Sequence, residues 1–338
     1  MPSGGLFQQN VIAVVWDFDK TLTPLYMQKP LFDAYGIEEA VFWKEVNALP
    51  AYYARAGIHV HLDTCYLGHL LSYVRHGRFA EPPLTNKRLR ELGADIEFYP
   101  GVPEVFARLR AYVDKPEYRS GDLRVEVEHY VVSTGLAELI RGSRIHGELR
   151  HVWASEFIEE PAAPGVDLAA FPPGGPISQI ATFLDNTTKT RALFEVNKGV
   201  GLVEGISVND DIAEEDRRVP FKNMIYVADG PSDIPSFSVV KKSGGLALAV
   251  YDPRDPRQYD QVSNLLERGR VHHVAPADYR EDSIADTWLR RQVGRMAQRI
   301  VEERVRGFRG RIGIGPTHMG AMDRTMKDHG SDTPEKKA

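Results

Sequence analysis

The chain of 338 residues carries 42 Lys and Arg against 47 Asp and Glu, a formal net charge of −5. Hydrophobic residues make up 42% and charged residues 26%, the balance of an ordinary globular chain, which excludes disorder over most of its length. This mildly acidic balance offers no electrostatic footprint for nucleic acid or an anionic membrane surface. Cys65 is the only cysteine, so neither an intramolecular disulfide nor an all-cysteine zinc site can form; a reducing, cytoplasmic setting is expected. At about 150 residues per domain, the length predicts two domains or one domain with a large insertion.

The first element is Val11-Ile12-Ala13-Val14-Val15-Trp16, a short β-branched run without alternation. It reads as a strand buried on both faces, as in parallel sheets, and is too short for a signal h-region or a membrane span. Between Thr23 and about Phe98 the sequence turns rich in helix formers, aromatics and histidines, notably at Glu38 to Leu49 and Thr64 to Val74. A helical insertion over 24–98, covering the crevice beside the first strand, is expected. Tyr99-Pro100-Gly101-Val102-Pro103 then opens a helix over Glu104 to Val113.

Further buried strands are predicted at His129 to Val132, Met224 to Ala228 and Leu246 to Val250. Repeated strand, loop and helix predict an α/β fold with a doubly wound, mostly parallel (Rossmann-like) sheet and a helical cap domain. Residues 1–23 and 99–306 would form the core. Pro161 to Pro176 reads as a long loop, and Val208 to Arg218 as a charged surface insertion. The arginine-rich segment Ser283 to Phe308 resembles a nucleic-acid patch, but Ile284, Trp288, Met296, Ile300 and Val301 supply an apolar stripe, so a docked surface helix is expected. The Gly-rich, polar stretch 307–338 is expected to be a disordered tail.

In doubly wound sheets the loops after the strands converge on one crevice, so the chemistry is sought there. After the first strand come Asp17-Phe18-Asp19-Lys20-Thr21-Leu22-Thr23, and after a later one Asp229-Gly230-Pro231-Ser232-Asp233. Like charges about 4 Å apart repel by about 4 kcal/mol at an effective dielectric of 20, so such a cluster calls for a cation. Hard oxygen ligands with few side chains favour Mg²⁺. Each loop alone also reads as a turn or helix cap; both after buried strands do not.

These segments resemble the haloacid dehalogenase superfamily, in the phosphoserine-phosphatase-like branch with a cap inserted after the first motif. Asp17 to Thr23 resembles motif one, Val131-Val132-Ser133-Thr134-Gly135 motif two, Lys189 in Thr188-Lys189-Thr190-Arg191 motif three, and Asp229 to Asp233 motif four. The resemblance implies a Mg²⁺-dependent phosphatase hydrolysing a small phosphomonoester through an aspartyl-phosphate. A phosphotransferase or phosphomutase, or a non-catalytic phosphate-binding regulatory module, would share the fold. Asp17 would be the nucleophile and Asp19 the acid and then the base. Thr21, Ser133, Thr134, Gly135 and Lys189 would hold the phosphate. Asp17, the Asp19 carbonyl and Asp229 would hold the metal, and Asp233 would orient its water or Lys189. Lys198 competes for the lysine role, but Lys189 opens a helix, where a phosphate oxygen sits. Phosphoserine phosphatases carry a glutamate seven residues after the second aspartate, where this chain has Tyr26, so phosphoserine itself is not the expected substrate.

His59-Val60-His61 has metal-site spacing, yet Asp63-Thr64 beside it reads as a helix N-cap, the plainer account. Arg55, His61, Arg75, His76 and Arg78 are the expected substrate-reading residues of the insertion. His272-His273 reads as strand-end structure. The expected partner is a small phosphorylated metabolite, with neither nucleic acid nor membrane.

Overall fold

The computed structural model describes residues 7–167, 169 and 174–311. Strand β1 (Val11–Trp16) is buried at all six positions. It lies at the centre of a seven-stranded sheet between two parallel neighbours, β4 (Glu126–Leu136) and β7 (Met224–Ala228). Beyond β4 come β5 (His151–Ile158) and antiparallel β6 (Gln179–Thr182). Beyond β7 come β8 (Leu246–Tyr251) and β9 (His273–Pro276), both parallel. A short separate hairpin, β2 (Arg119–Ser120) with β3 (Leu123–Arg124), precedes β4. This is the doubly wound, mostly parallel sheet that the apolar runs predict.

The two faces of β1 feed two hydrophobic cores, because side chains alternate along a strand. Ile12, Val14 and Trp16 face one core and Val11, Ala13 and Val15 the other. Helices α5 (Glu104–Val113) and α10 (Ile284–Arg311) cover the first face. Helices α7 (Lys189–Lys198), α8 (Ile234–Lys242) and α9 (Pro256–Glu267) cover the second. The stretch after motif one is helical as expected, with α1 (Lys29–Ala34), α2 (Glu39–Ala54), α3 (Leu62–Arg75) and α4 (Asn86–Leu92). Its Phe32, Phe42 and Leu70 join the same core as Trp16. Helix α4 packs on α6 (Ala137–Gly142), which follows β4.

Beside the short β2–β3 hairpin, three strands of the main sheet went unanticipated, for one reason each. In β5 only alternate stretches are buried, so polar residues interrupt the apolar run. Edge strand β6 is largely exposed. Edge strand β9 is short and half-buried, and begins at His273 as a strand end.

Helix α10 docks on α5 and β9 as expected, but through Ala285, Leu289, Val293, Met296, Ala297 and Ile300, while Ile284 is exposed. It continues to Arg311, into the stretch read as tail; the remainder, 312–338, lies outside the described residues. So does part of the expected 161–176 loop. Among the described residues no helix is long and apolar enough to cross a membrane.

The end of β1 is anchored by aromatic packing. Trp16 meets Phe106 and Tyr279 edge-on, with both centroid separations 5.6 Å. Tyr279 is fully buried and donates to the carbonyl of Thr21 at 2.6 Å. Gly101 is required where this segment passes, since a Cβ there would lie 2.1 Å from the Tyr279 carbonyl carbon. His129 on β4 completes the cluster. Trp16 Nε1 donates to its Nδ1 at 3.3 Å, and its Nε2 donates to the Phe106 carbonyl at 3.1 Å. Both ring nitrogens are thus satisfied in the neutral form.

Burial, aided by the charge of Arg110, lowers the His129 pKa from 6.5 to about 3. Above pH 6.5 both folded and unfolded histidine are neutral and contribute nothing. Below it the unfolded chain takes up a proton that the fold refuses, so stability falls by about 1.4 kcal/mol per pH unit down to about pH 3. Urea unfolding at pH 7 and pH 5 should show the wild type losing about 2 kcal/mol more than His129→Gln. Equal losses would mean that His129 is protonated inside the fold.

Candidate active site

Motif one leaves the sheet at the carboxyl end of its central strand. The Asp17 amide still donates to Val227 at 2.9 Å, holding the carboxylate at the sheet edge. The Phe18 carbonyl then accepts from the amide of Leu22 at 2.9 Å, closing a tight turn in which Lys20 takes a left-handed φ of 60°. Thr21 Oγ1 donates to Asp17 Oδ2 at 3.0 Å. Asp19 Oδ1 accepts from the Met27 amide at 2.8 Å, tying the start of the helical insertion to the motif.

Lys189, the first residue of α7, is only 2% exposed, and its Nζ donates to Asp17 Oδ1 at 2.6 Å and Asp233 Oδ1 at 2.8 Å. Asp233 also accepts from the hydroxyls of Tyr226 at 2.6 Å and Ser232 at 2.8 Å. Asp17, Asp229 and Asp233 present carboxylate oxygens within 4.8 Å of one another. Burial raises the Asp17 pKa to about 6 against the opposing pull of Lys189, and the Asp233 charge adds to the rise. Asp229 is pushed well above the ordinary carboxylate range by burial and by Asp17 and Asp233. Asp19 is raised to about 7, chiefly by burial and then by Asp17. Lys189 moves the other way from a desolvated amine, because Asp17 and Asp233 hold it charged. Three carboxylates against one ammonium form an all-oxygen, negatively charged donor set, which fits a hard divalent cation.

Motif two is a distortion within β4 rather than its end. The register against β5 shifts between Val132 and Leu136, the signature of a bulge, which re-aims side chains at the sheet edge. Ser133 is buried and its Oγ accepts from the Gly135 amide at 3.0 Å, leaving the hydroxyl proton to donate. A Cβ at Gly135 would lie 2.2 Å from the Met27 side chain, so glycine is needed there. The Thr134 carbonyl accepts from Tyr66 at 2.7 Å. Thus Asp17, Asp19, Lys189, Asp229 and Asp233 share one crevice with motif two. Thr21 steadies the Asp17 carboxylate, although it was expected to touch phosphate. Lys198 is set apart at the far end of α7, donating to the carbonyls of Val208 and Asp210 at 2.6 Å each.

A cavity of about 350 Å³ opens from Asp19 and Gly135 towards α2 and α3, walled by Tyr26, Trp43 and Tyr66. Its lining includes none of Arg55, His61, Arg75, His76 and Arg78, the residues expected to read the substrate. Arg55 instead packs on the Tyr52 ring, and His76, just past the end of α3, is bonded back to the Ser72 carbonyl. The His59 and His61 rings meet edge-on, centroids 4.9 Å apart, in a loop and not on a strand. They form no three-ligand cluster among the described residues. Asp63 does not cap α3 but sits in its first turn, where its carboxylate accepts from Asn186 at 2.9 Å.

Tyr226, Met27, Gln28 and Tyr66 escaped sequence reading. Tyr226 could have been found by strand alternation, since it lies two residues before the last residue of β7. The Met27 contact is made by a backbone amide and leaves no trace in side-chain identity.

No family model matches the chain. It is 33% identical over 292 residues to an uncharacterized protein of Borreliella burgdorferi, covering 85% of this chain and 98% of the other. The chain belongs to the same family as that protein. Among solved structures it is similar to a HAD family hydrolase from Salmonella enterica serovar Typhi, at 12% identity, covering 81% of this chain and 68% of that one, with a TM-score of 0.43. It is also similar to a phosphoserine phosphatase in apo form, at 15% identity, covering 76% and 98% respectively, with a TM-score of 0.42. The four motifs occur in the chain order, and the helical insertion in the place after the first, that the resemblance to the haloacid dehalogenase superfamily predicts.

The two lysines of α7 differ in what their removal should do to the metal-free protein. Lys189→Met strands two buried carboxylates and should cost about 3–5 kcal/mol in urea unfolding. Lys198→Met loses bonds to surface carbonyls and should cost about 1 kcal/mol. Equal costs would mean that the Lys189 ion pairs do not hold the crevice together.

Proposed function

We propose that this protein hydrolyses a small phosphomonoester by way of an aspartyl-phosphate formed on Asp17. The observation that carries the reading is the Asp17 carboxylate at the sheet edge, clamped by Lys189 on one oxygen and Thr21 on the other, beside an Asp19 carboxyl near neutrality. An Asp17 oxygen bonds to phosphorus as the alkoxide leaves with the Asp19 proton. Asp19, then a carboxylate, takes a proton from the water that cleaves the aspartyl-phosphate, releasing inorganic phosphate and restoring both groups. A pKa of about 7 suits a residue that must donate and then accept. Ser133 and Lys189 would hold the phosphoryl oxygens.

Asp17 and Asp229, with Asp233 alongside, would hold Mg²⁺, which screens the nucleophile from the phosphate charge. Asp233 is committed to Lys189 and Tyr226, so its part is to position the lysine.

Asp17→Asn should abolish phosphate release from p-nitrophenyl phosphate while circular dichroism shows the fold intact; a few per cent of residual turnover would point to direct attack by water. Asp19→Asn should give a stoichiometric burst of nitrophenolate, whose departure needs no proton, followed by turnover slowed about 10²–10⁴-fold. No burst would assign the proton to another residue. Chelation should stop turnover and Mg²⁺ restore it; indifference to chelator would remove the metal from the reading. Transfer of phosphate to an added alcohol in place of release would make the protein a phosphotransferase.

A further inference from the structure

The cavity beside Asp19 has a chemical character that follows from its lining. Trp43 lies between Tyr26 and Tyr66, with ring centroids 5.3 Å and 5.8 Å apart, so three aromatic rings form a continuous wall. Tyr66 is fixed in place by its bond to the Thr134 carbonyl. Asp19, the acid of the proposed reaction, and the exposed Asp63 carboxylate line the same space. Among the described residues no lysine, arginine or histidine lines it. Lys20 lies behind, its Nζ 5.0 Å from the Tyr26 ring centroid and donating to the Pro24 carbonyl. Gln28 also lines the cavity; it is 2% exposed, and its Oε1 accepts no hydrogen bond. A buried acceptor without a donor is unfavourable, and a bound N–H or O–H would satisfy it.

We infer that the leaving group read by this cavity is an alcohol that carries a hydrogen-bond donor and no anionic group: an amino alcohol or a polyol, and not a hydroxy acid. The inference rests on the phosphatase reading and specifies its substrate class. An anionic leaving group would meet the Asp63 carboxylate and no cation, whereas an ammonium or hydroxyl finds aromatic faces, that carboxylate and the Gln28 amide. The negative lining selects by repulsion as well as by contact.

Three esters matched in length read this directly: 2-aminoethyl, 2-hydroxyethyl and 2-carboxyethyl phosphate, compared by kcat/KM with p-nitrophenyl phosphate as reference. The amino and hydroxyl esters should each exceed the carboxyl ester by about tenfold or more, and the larger of the two identifies the donor. Asp63→Lys, a change at an exposed position, should raise the carboxyl ester relative to the amino ester by a similar factor. Hydrolysis of p-nitrophenyl phosphate with the carboxyl ester equal or preferred would overturn the assignment of substrate class alone. Failure to hydrolyse any of the four would overturn the phosphatase reading itself.

Discussion

The fold is organised around one buried ammonium. Lys189 Nζ sits between Asp17 and Asp233, all three side chains almost wholly removed from water. Taking such charges out of solvent costs several kcal/mol per ion, and the mutual attraction repays it only when distances are short and remaining valences are filled. Here the ion pairs are 2.6 Å and 2.8 Å long, and Thr21, Tyr226 and Ser232 occupy carboxylate lone pairs. That requirement ties three elements together: β1 must end beside Asp17, β7 beside the Asp229 loop, and α7 must begin at Lys189. A displacement of any one would leave a bare charge in a dry crevice.

The surrounding packing serves that constraint. Trp16, Phe106, His129 and Tyr279 lock the end of β1 from the α5 and α10 side, and the Tyr279 hydroxyl reaches the motif-one turn at Thr21. On the crevice side, Met27 joins two motifs at once. Its amide holds Asp19, while its sulfur lies 3.0 Å from the Leu136 amide, over Gly135. The helical insertion is therefore fastened to the motif-one turn within four residues of leaving it. The structure divides accordingly: the sheet edge carries the carboxylates and Lys189, and Tyr26, Trp43 of α2 and Tyr66 of α3 form the aromatic wall of the adjoining cavity.

What could be read from the sequence was whatever local order dictates. Val11 to Trp16 can only be a strand covered on both faces, and a strand of that kind followed by Asp17-Phe18-Asp19 places two carboxylates at a sheet edge. Lys189 opening a helix and Asp229 after another apolar run complete the set, and the helix starts at Glu104 and Lys189 follow from their turns. The preference for Lys189 over Lys198 rests on a local argument too; in the fold Lys189 reaches Asp17, and Lys198 reaches the Val208 carbonyl.

Tertiary structure decided the rest, because it depends on distances between segments far apart in the chain. Strands β5, β6 and β9 are held by neighbours that cover one face or one edge, so their own residues carry too weak an apolar signal. Arg75, His76 and Arg78 have the chemistry of substrate readers, but α3 carries them away from the cavity that Tyr26, Trp43 and Tyr66 enclose. Thr21, expected to touch phosphate, turns to Asp17 because the turn after Asp17 folds its hydroxyl back onto the carboxylate. Residue type and spacing set which charges must meet at the crevice; only the packed fold, by fixing which side chains can reach it, set what else meets them there.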